Sequence, residues 1–309
     1  IGVSKEDTKC KLAEKWIPKT VVDSELQVNE NDTQIHIKGR EFAYTIDKRT
    51  ALFTEMKFAG REYLNHPMEL NIWRAPTDND MYIKSEWKKA HYDKAYTRAY
   101  TTEVVQGKHG VKITSHASVV AETVQKILDV TITWKIEAAG KIDADIAVTK
   151  DDEFPDLPRF GVRMFLDKKL SAVRYFGMGP QESYCDKHQA ASHGLYQANV
   201  DDLHEDYIRP QENGSHYDCE YVELNNSRYG IVASAEKAFS FNASYYTQEE
   251  LEKKTHNYEL IESDSVVFCV DYALNGIGSN SCGPVVLEQY RFDDVLFRFQ
   301  FTLIPYVKG

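Results

Sequence analysis

Between residues 34 and 58 the chain alternates. Gln34-Ile35-His36-Ile37-Lys38 and Phe42-Ala43-Tyr44-Thr45-Ile46 carry large apolar side chains at every second position, and each run closes on turn residues. A period of two gathers those side chains on one face of a strand. Asp47-Lys48-Arg49-Thr50 separates the second run from Leu52-Phe53-Thr54-Glu55-Met56-Lys57-Phe58, which stops at Ala59-Gly60, so a succession of hairpins is expected. The same rhythm returns over 111–114, 126–136, 142–149, 161–166 and 173–176. It comes back over 217–224, 230–235, 239–244, 266–272 and 296–304. Two stretches read as helices. One is 84–98, with Trp87, Ala90, His91 and Ala95; the other is 247–256, with Thr247 as N-cap and Glu249 and Glu250 in the first turn. Many short strands with few helices between them argue against β-α-β winding. They predict an all-β fold, a large antiparallel two-sheet sandwich with one or two short helices. Residues 1–30, rich in Lys, Glu and Asp and poorly periodic, read as a linker or the end of a preceding domain; 31–309 read as one sandwich domain.

Composition narrows the function. The formal charge of -11 disfavours a phosphate backbone as partner, so no nucleic acid is expected. No apolar run approaches the roughly 20 residues that span a bilayer, so no membrane is expected either. Tyr (19 residues) suits both pleated strands and sugar-facing surfaces. The five cysteines, Cys10, Cys185, Cys219, Cys269 and Cys282, are odd in number, widely spaced and free of any C-x-x-C pair. That pattern argues against a disulfide framework and against structural zinc, and suggests a reducing compartment: the cytoplasm, with the periplasm as the alternative. The chain opens on Ile1 without an initiator Met and reads as part of a longer protein.

Several chemistries leave no trace. There is no phosphate-binding glycine loop, no G-x-S-x-G and no H-E-x-x-H. His188, His193, His204 and His216 crowd one stretch without metal-ligand spacing, so they read as structural or solvated and no metal is expected. Sequons stand at Asn31, Asn213, Asn225 and Asn242, a motif short enough to arise by chance. Glycoside hydrolysis needs two carboxyl groups set by distance and not by spacing along the chain, so the 48 acidic residues nominate none.

Three segments are dense in polar residues beside aromatics. In Asn71-Ile72-Trp73-Arg74-Ala75-Pro76-Thr77-Asp78-Asn79-Asp80, Trp73 ends an apolar run, Arg74 offers a planar fork for a following acid, and Pro76 turns the chain out of its strand. A second strand ends at Gly177-Met178-Gly179-Pro180, after which a loop presents Glu182, Tyr184 and Asp186. The third, Tyr207-Ile208-Arg209-Pro210-Gln211-Glu212-Asn213-Gly214, is again a strand end leading into a polar turn. Such clusters fit a network that fixes loop geometry, or a sugar site of aromatic faces and hydrogen bonds. The first reading is favoured, because most polar groups at strand ends satisfy backbone.

The phrases NIWRAPTDND (71–80), GMGPQESYCDK (177–187), YIRPQENG (207–214) and GIGSNSCGP (276–284) resemble, in the same order, phrases of the C-terminal β-sandwich domain of lac-type β-galactosidases of glycoside hydrolase family 2. The resemblance covers residues 30 to 305. It implies a galactose mutarotase-like supersandwich. It also implies a retaining β-galactosidase whose acid/base and nucleophilic glutamates, magnesium and a second candidate ion, sodium, belong to a (β/α)8 barrel on the same or a partner chain. No catalytic residue and no cofactor is then expected in this chain; the substrate is a galactoside and the full enzyme a homo-oligomer. In that family one loop of this domain reaches the galactose site and carries a Trp. The matching loop holds Asn280, Ser281 and Cys282, with Cys282 where the Trp would stand and the loop one residue shorter. A thiol there removes a stacking face; the bland alternative makes Cys282 a small buried residue. Trp73, Arg74, Asp78, Asn79, Asp80, Glu182, Tyr184, Asp186, Arg209, Glu212 and Asn213 are assigned to architecture, with Arg74 and Arg209 expected to pair with nearby carboxylates. The competing functions are an aldose 1-epimerase-like enzyme, which needs a His and a Glu converging in a concave groove, and a free-standing carbohydrate-binding module.

Overall fold

The computed structural model describes residues 26–123 and 126–308. Five strands form a small antiparallel sheet: β1 (Gln27–Glu30), β2 (Gln34–Lys38), β3 (Phe42–Asp47), β4 (Leu52–Phe58) and β5 (Arg61–Glu62). The β3–β4 turn is closed by Asp47, whose carboxylate accepts from the Arg49 backbone N–H at 2.7 Å while its carbonyl accepts from Ala51 N.

The large sheet takes twelve strands. In chain order these are β6 (Leu64–Asn71), β7 (Tyr96–Gln106), β8 (Gly110–Val120), β9 (Leu128–Glu137), β10 (Ile142–Lys150), β11 (Arg159–Asp167), β12 (Ala172–Gly179), β13 (Ser192–Asn199), β14 (His216–Asn225), β15 (Tyr229–Ser244), β16 (Ser265–Leu274) and β17 (Leu296–Val307). Nine of them run β13-β12-β14-β15-β17-β10-β9-β8-β7; β16, β11 and β6 branch from β15. The all-β, antiparallel expectation is met. The first strand lies wholly within the segment 1–30 read as a linker or the end of a preceding domain, and Leu26 before it is buried; residues 1–25, with Cys10, lie outside the described residues.

Alternation decides what faces inward. In β10, Ile142, Ala144, Ile146 and Val148 are buried while Asp143, Asp145 and Ala147 point the other way, and Phe297, Phe299 and Phe301 of β17 line up beside the buried set. The small sheet covers this face. Phe53 meets Trp134 edge to face with ring centroids 4.9 Å apart, and the Trp134 indole N–H donates to the Ala51 carbonyl at 2.8 Å. Tyr44 donates its hydroxyl to the Gly140 carbonyl at 2.7 Å. Gly140 has φ 87°, and a Cβ there would sit 3.0 Å from both Phe42 and Phe58, so only glycine admits so close an approach. One continuous cluster of buried side chains therefore joins both sheets.

Two helical expectations shrink. The stretch 84–98 holds only α1 (Ile83–Lys89) and a 3-10 turn, Tyr92–Lys94, before β7 begins at Tyr96. His91 takes a left-handed φ of 57°, which ends the helix, and the Thr- and Tyr-rich run after Ala95 suits a strand. The second, α2 (Gln248–Lys253), keeps its predicted cap: Thr247 Oγ1 accepts from Glu250 N at 3.1 Å. Strands β1, β5, β6, β7 and β13 were not foreseen.

Phe53 is fully buried between the sheets. Phe53→Ala is expected to cost about 3–5 kcal/mol through lost burial and a residual cavity, read as a lower urea midpoint at unchanged m-value.

Candidate functional site

The polar segments converge because the strands carrying them end together. Strand β11 lies between β6 and β16, with Gly161 opposite Asn71 and Arg159 opposite Leu274, so the segments leaving β6 and β16 both start beside Arg159. The loops after β12 and before β14 close the same end.

Two buried guanidinium groups organise it. Arg74 Nε and Nη2 donate to Asp80 at 3.1 and 2.6 Å, and Nη1 and Nη2 donate to the carbonyls of Asn275 and Gly276 at 2.5 and 3.1 Å. Arg159 forks onto Asp271 at 3.1 and 2.5 Å and reaches Glu212 Oε1 at 2.9 Å. All five charged side chains of these pairs, Arg74, Asp80, Arg159, Glu212 and Asp271, are almost fully buried. Burial alone pulls a guanidinium pKa down; the carboxylates, Asp271 foremost, push Arg159 well above its ordinary value. Burial in turn pushes the Glu212 and Asp271 carboxyls up against the pull of Arg159. Asp80 also accepts from the Thr77 N–H at 2.8 Å, closing the turn.

The loop from 275 to 283 is gripped from behind by three side chains. Arg74 takes the first two carbonyls. Asp186 accepts from Ile277 N at 2.9 Å and Gly278 N at 2.7 Å. Asn79 donates to the Gly278 carbonyl at 2.8 Å and accepts from Ser281 N and Oγ at 3.2 and 2.7 Å. Beyond that clamp, Asn280 is half-buried, and Ser281 and Cys282 are exposed. The reading of Cys282 as a small buried residue is thereby corrected: a tight turn, with Gly283 N donating to the Ser279 carbonyl at 2.7 Å, lifts it clear of the core.

A cavity of about 500 Å³ opens in front, lined among others by Asp78, Asn79, Glu182, Asp186, Gln211 and Ser281, so all four sequence phrases share one wall. Glu182 is a hub, accepting from Lys187 Nζ and Tyr207 Oη at 2.5 Å each, Gly214 N at 3.0 Å and Tyr184 Oη at 3.2 Å. Burial raises its pKa, but these donors outweigh burial and leave the carboxyl below its ordinary value. Asp78 N donates to the Gln211 amide oxygen at 3.0 Å, and Asn213 Nδ2 donates to the Gln211 carbonyl at 2.9 Å. Trp73 is buried edge-on against Trp87, centroids 6.2 Å apart, with Lys88 Nζ 4.9 Å above its ring. A second cavity of about 570 Å³ shares Asn79 and runs between Tyr82, Asn280, Val285 and Arg291; Cys282 lines neither.

Arg209 corrects the sequence reading. Its side chain is exposed and makes no ion pair among the described residues; only its carbonyl is used, accepting from Gln211 Nε2 at 3.1 Å. The second buried arginine at this end of the sheet is Arg159, missed because an arginine opening a strand has no local mark of its partners, which lie 53 and 112 residues away. Among the described residues no group of His, Cys, Asp and Glu is placed to hold a metal, and Cys185, Cys219, Cys269 and Cys282 are free thiols. Asn213 and Asn242 are buried, with amides bonded to backbone, so neither sequon could accept a glycan in the folded chain. His216 is likewise architectural: buried, stacked on Phe241 and 4.6 Å from the Tyr175 ring, with its pKa driven by burial down to about 4.

A family model described as β-galactosidase small chain matches residues 38–303. The β-galactosidase of Actinobacillus pleuropneumoniae is 44% identical over 289 residues, covering 93% of this chain and 28% of that protein. That of Staphylococcus xylosus is 33% identical over 282 residues, covering 91% and 28%. The chain thus spans 28% of the length of these relatives. Among solved structures, a galactose 1-epimerase from Lactobacillus acidophilus superimposes over 93% of this chain and 99% of its own, with a TM-score of 0.49 and 8% identity.

The two arginines of the sequence phrases should behave differently. Arg74→Ala strands Asp80 in the interior and is expected to cost about 3–5 kcal/mol, whereas Arg209→Ala should stay within about 0.5 kcal/mol; paired urea titrations measure both. A second expectation concerns pH. Because the folded pKa of His216 lies below its unfolded value, its contribution is complete above the unfolded value and is lost as pH falls towards about 4. The wild type should therefore lose about 2 kcal/mol more than His216→Phe between pH 7.5 and pH 5, and equal losses would count against a buried neutral imidazole.

Proposed function

The chain belongs to the β-galactosidase small-chain family, and we propose that it forms one wall of a galactoside-hydrolysing site whose catalytic groups lie elsewhere. In this reading the intact enzyme removes terminal non-reducing β-D-galactose with retention. Two glutamates of a (β/α)8 barrel act as acid/base and nucleophile, and the barrel also holds magnesium. Retention needs two carboxyl groups about 5–5.5 Å apart, flanking the scissile bond. This chain supplies neither. It supplies position.

The observation that carries the reading is the clamped loop. Arg74 and Asn79 from the segment after β6 and Asp186 from the loop after β12 together hold peptide groups between Asn275 and Ser281. A wall meant to orient a sugar must be set before the sugar arrives, since ordering a loop on binding costs free energy. The clamp does that, and it leaves the loop's exposed tip, with Cys282, free to meet a ligand or the barrel. A thiol offers far less surface than an aromatic ring, which covers about 150–250 Å², so the aglycone side should be roomy and weakly stacking. The epimerase alternative needs a histidine opposite a glutamate in an open groove. The cavities of about 770, 570 and 500 Å³ have carboxylates in their linings and no histidine, which favours the galactosidase reading.

In the intact enzyme Cys282→Trp is expected to lower KM for aryl galactosides about three- to tenfold through added stacking and to raise the share of transglycosylation. Unchanged KM values and ratios across several aglycones would remove Cys282 from the pocket wall. The chain alone should hydrolyse no o-nitrophenyl galactoside, gaining activity only when the barrel is restored.

A further inference from the structure

A cavity of about 770 Å³ among the described residues belongs to none of the four sequence phrases. It opens where the large sheet forks. On the edge away from β14, β15 pairs with β17 from Tyr229 to Ser234 and with β16 from Ser240 to Ser244. The two partners diverge from one strand, and the exposed bend at 236–238 forms the crotch.

The fork is built for a particular kind of ligand. Half-buried Tyr272 from β16 lies against β17, stacked on Phe297 with centroids 4.8 Å apart and tilted by 16°, so an aromatic floor survives where the ladder does not. The wall is a row of polar side chains on the face opposite the core. Lys135, Asp143 and Thr302 stand side by side across β9, β10 and β17, with Thr302 Oγ1 donating to Asp143 at 2.6 Å. One step along, Arg298 forks onto Asp145 beside exposed Gln300. The planar groups are oriented by each other, with Asp143 also paired to Lys141 at 3.1 Å, and the Arg298 guanidinium carries more N–H groups than its fork onto Asp145 uses. Five carboxylates against three cations line the cavity, which disfavours phosphates and other anions. An aromatic floor flanked by fixed carboxylate, guanidinium and amide edges in an open, wet groove matches a neutral polyhydroxylated ligand, whose C–H face packs on the ring while its hydroxyls bond to the wall.

We propose that this fork is a second carbohydrate-binding site, taking a neutral oligosaccharide and separate from the clamped-loop cleft. It binds and does not catalyse. Its role is to hold a sugar chain, or a second sugar, against the body of the enzyme.

Calorimetric titration of the 309-residue chain with lactose and with a galactotriose tests this, with galacturonate and spermidine as charged controls. Millimolar binding of the neutral sugars, weakened at least tenfold by Tyr272→Ala and also by the surface variants Gln300→Ala and Arg298→Ala, is the expected result. The two surface variants keep the test decisive should Tyr272→Ala fail to fold. No heat at saturating sugar, binding lost in Asn79→Ala but retained in the fork variants, or binding of spermidine in place of sugar would each overturn the proposal. The readout is independent of galactosidase activity, so an inactive or misassigned catalytic wall leaves it intact.

Discussion

Arg74 and Arg159 sit where no water reaches them, and the end of the large sheet is arranged around satisfying their donors. Each guanidinium is gripped by a carboxylate in a two-point fork, and each uses its remaining donors on a second segment: Asn275 and Gly276 for Arg74, Glu212 for Arg159. A buried ion pair is a poor source of net stability, because desolvation offsets most of the Coulomb gain. Its value here is directional. A planar fork accepts few arrangements, and leaving either member unpaired in the interior is costly, so the segments leaving β6 and β16 and the turn before β14 have one low-energy way to meet.

From that constraint the cleft follows. Asp80, fixed by Arg74, closes the turn that presents Asn79; Asn79 and Asp186 then hold the loop whose tip carries Cys282. Glu212 is tied to Arg159 and to Ala75, whose N–H donates to the Glu212 carboxylate and whose carbonyl accepts from the Glu212 N–H, so the Gln211–Asn213 turn cannot drift from the 75–80 turn. The polar residues of the four phrases thus touch one another more than they touch solvent. A wall made this way is rigid, which suits the proposed reading in which catalytic groups come from another domain.

The opposite face obeys a simpler rule. Strict alternation along β9, β10 and β17 sends one set of side chains under the small sheet and the other into the open, and the partner switch of β15 splits that open face into a groove. Core and groove are two sides of the same strands. The closeness of the sheets at Gly140 and the width of the fork at Tyr272 both come from how far the strands twist and diverge.

Much of this was legible along the chain. Alternation every second residue marks β2, β3, β4, β10 and β17 because one buried face imposes that period, and Thr247 marks a helix start because the unpaired N–H groups of a first turn need an acceptor. Trp73, Asp80, Glu182 and Asp186 stood out because strand ends must dispose of polar backbone. What the chain could not show was partnership. Arg209 and Arg159 look alike in one dimension, yet one is bathed in solvent and the other is buried between acids that arrive from distant strands. Strand β6, with His66 and Pro67 interrupting its alternation, and β7, which follows a helix-like run, exist because neighbours on the sheet supply their hydrogen bonds. Local pattern determined the period, the faces and the turns of this protein; only the tertiary structure decided which charges are buried together, because desolvation and pairing depend on what folds against a residue and not on what precedes it.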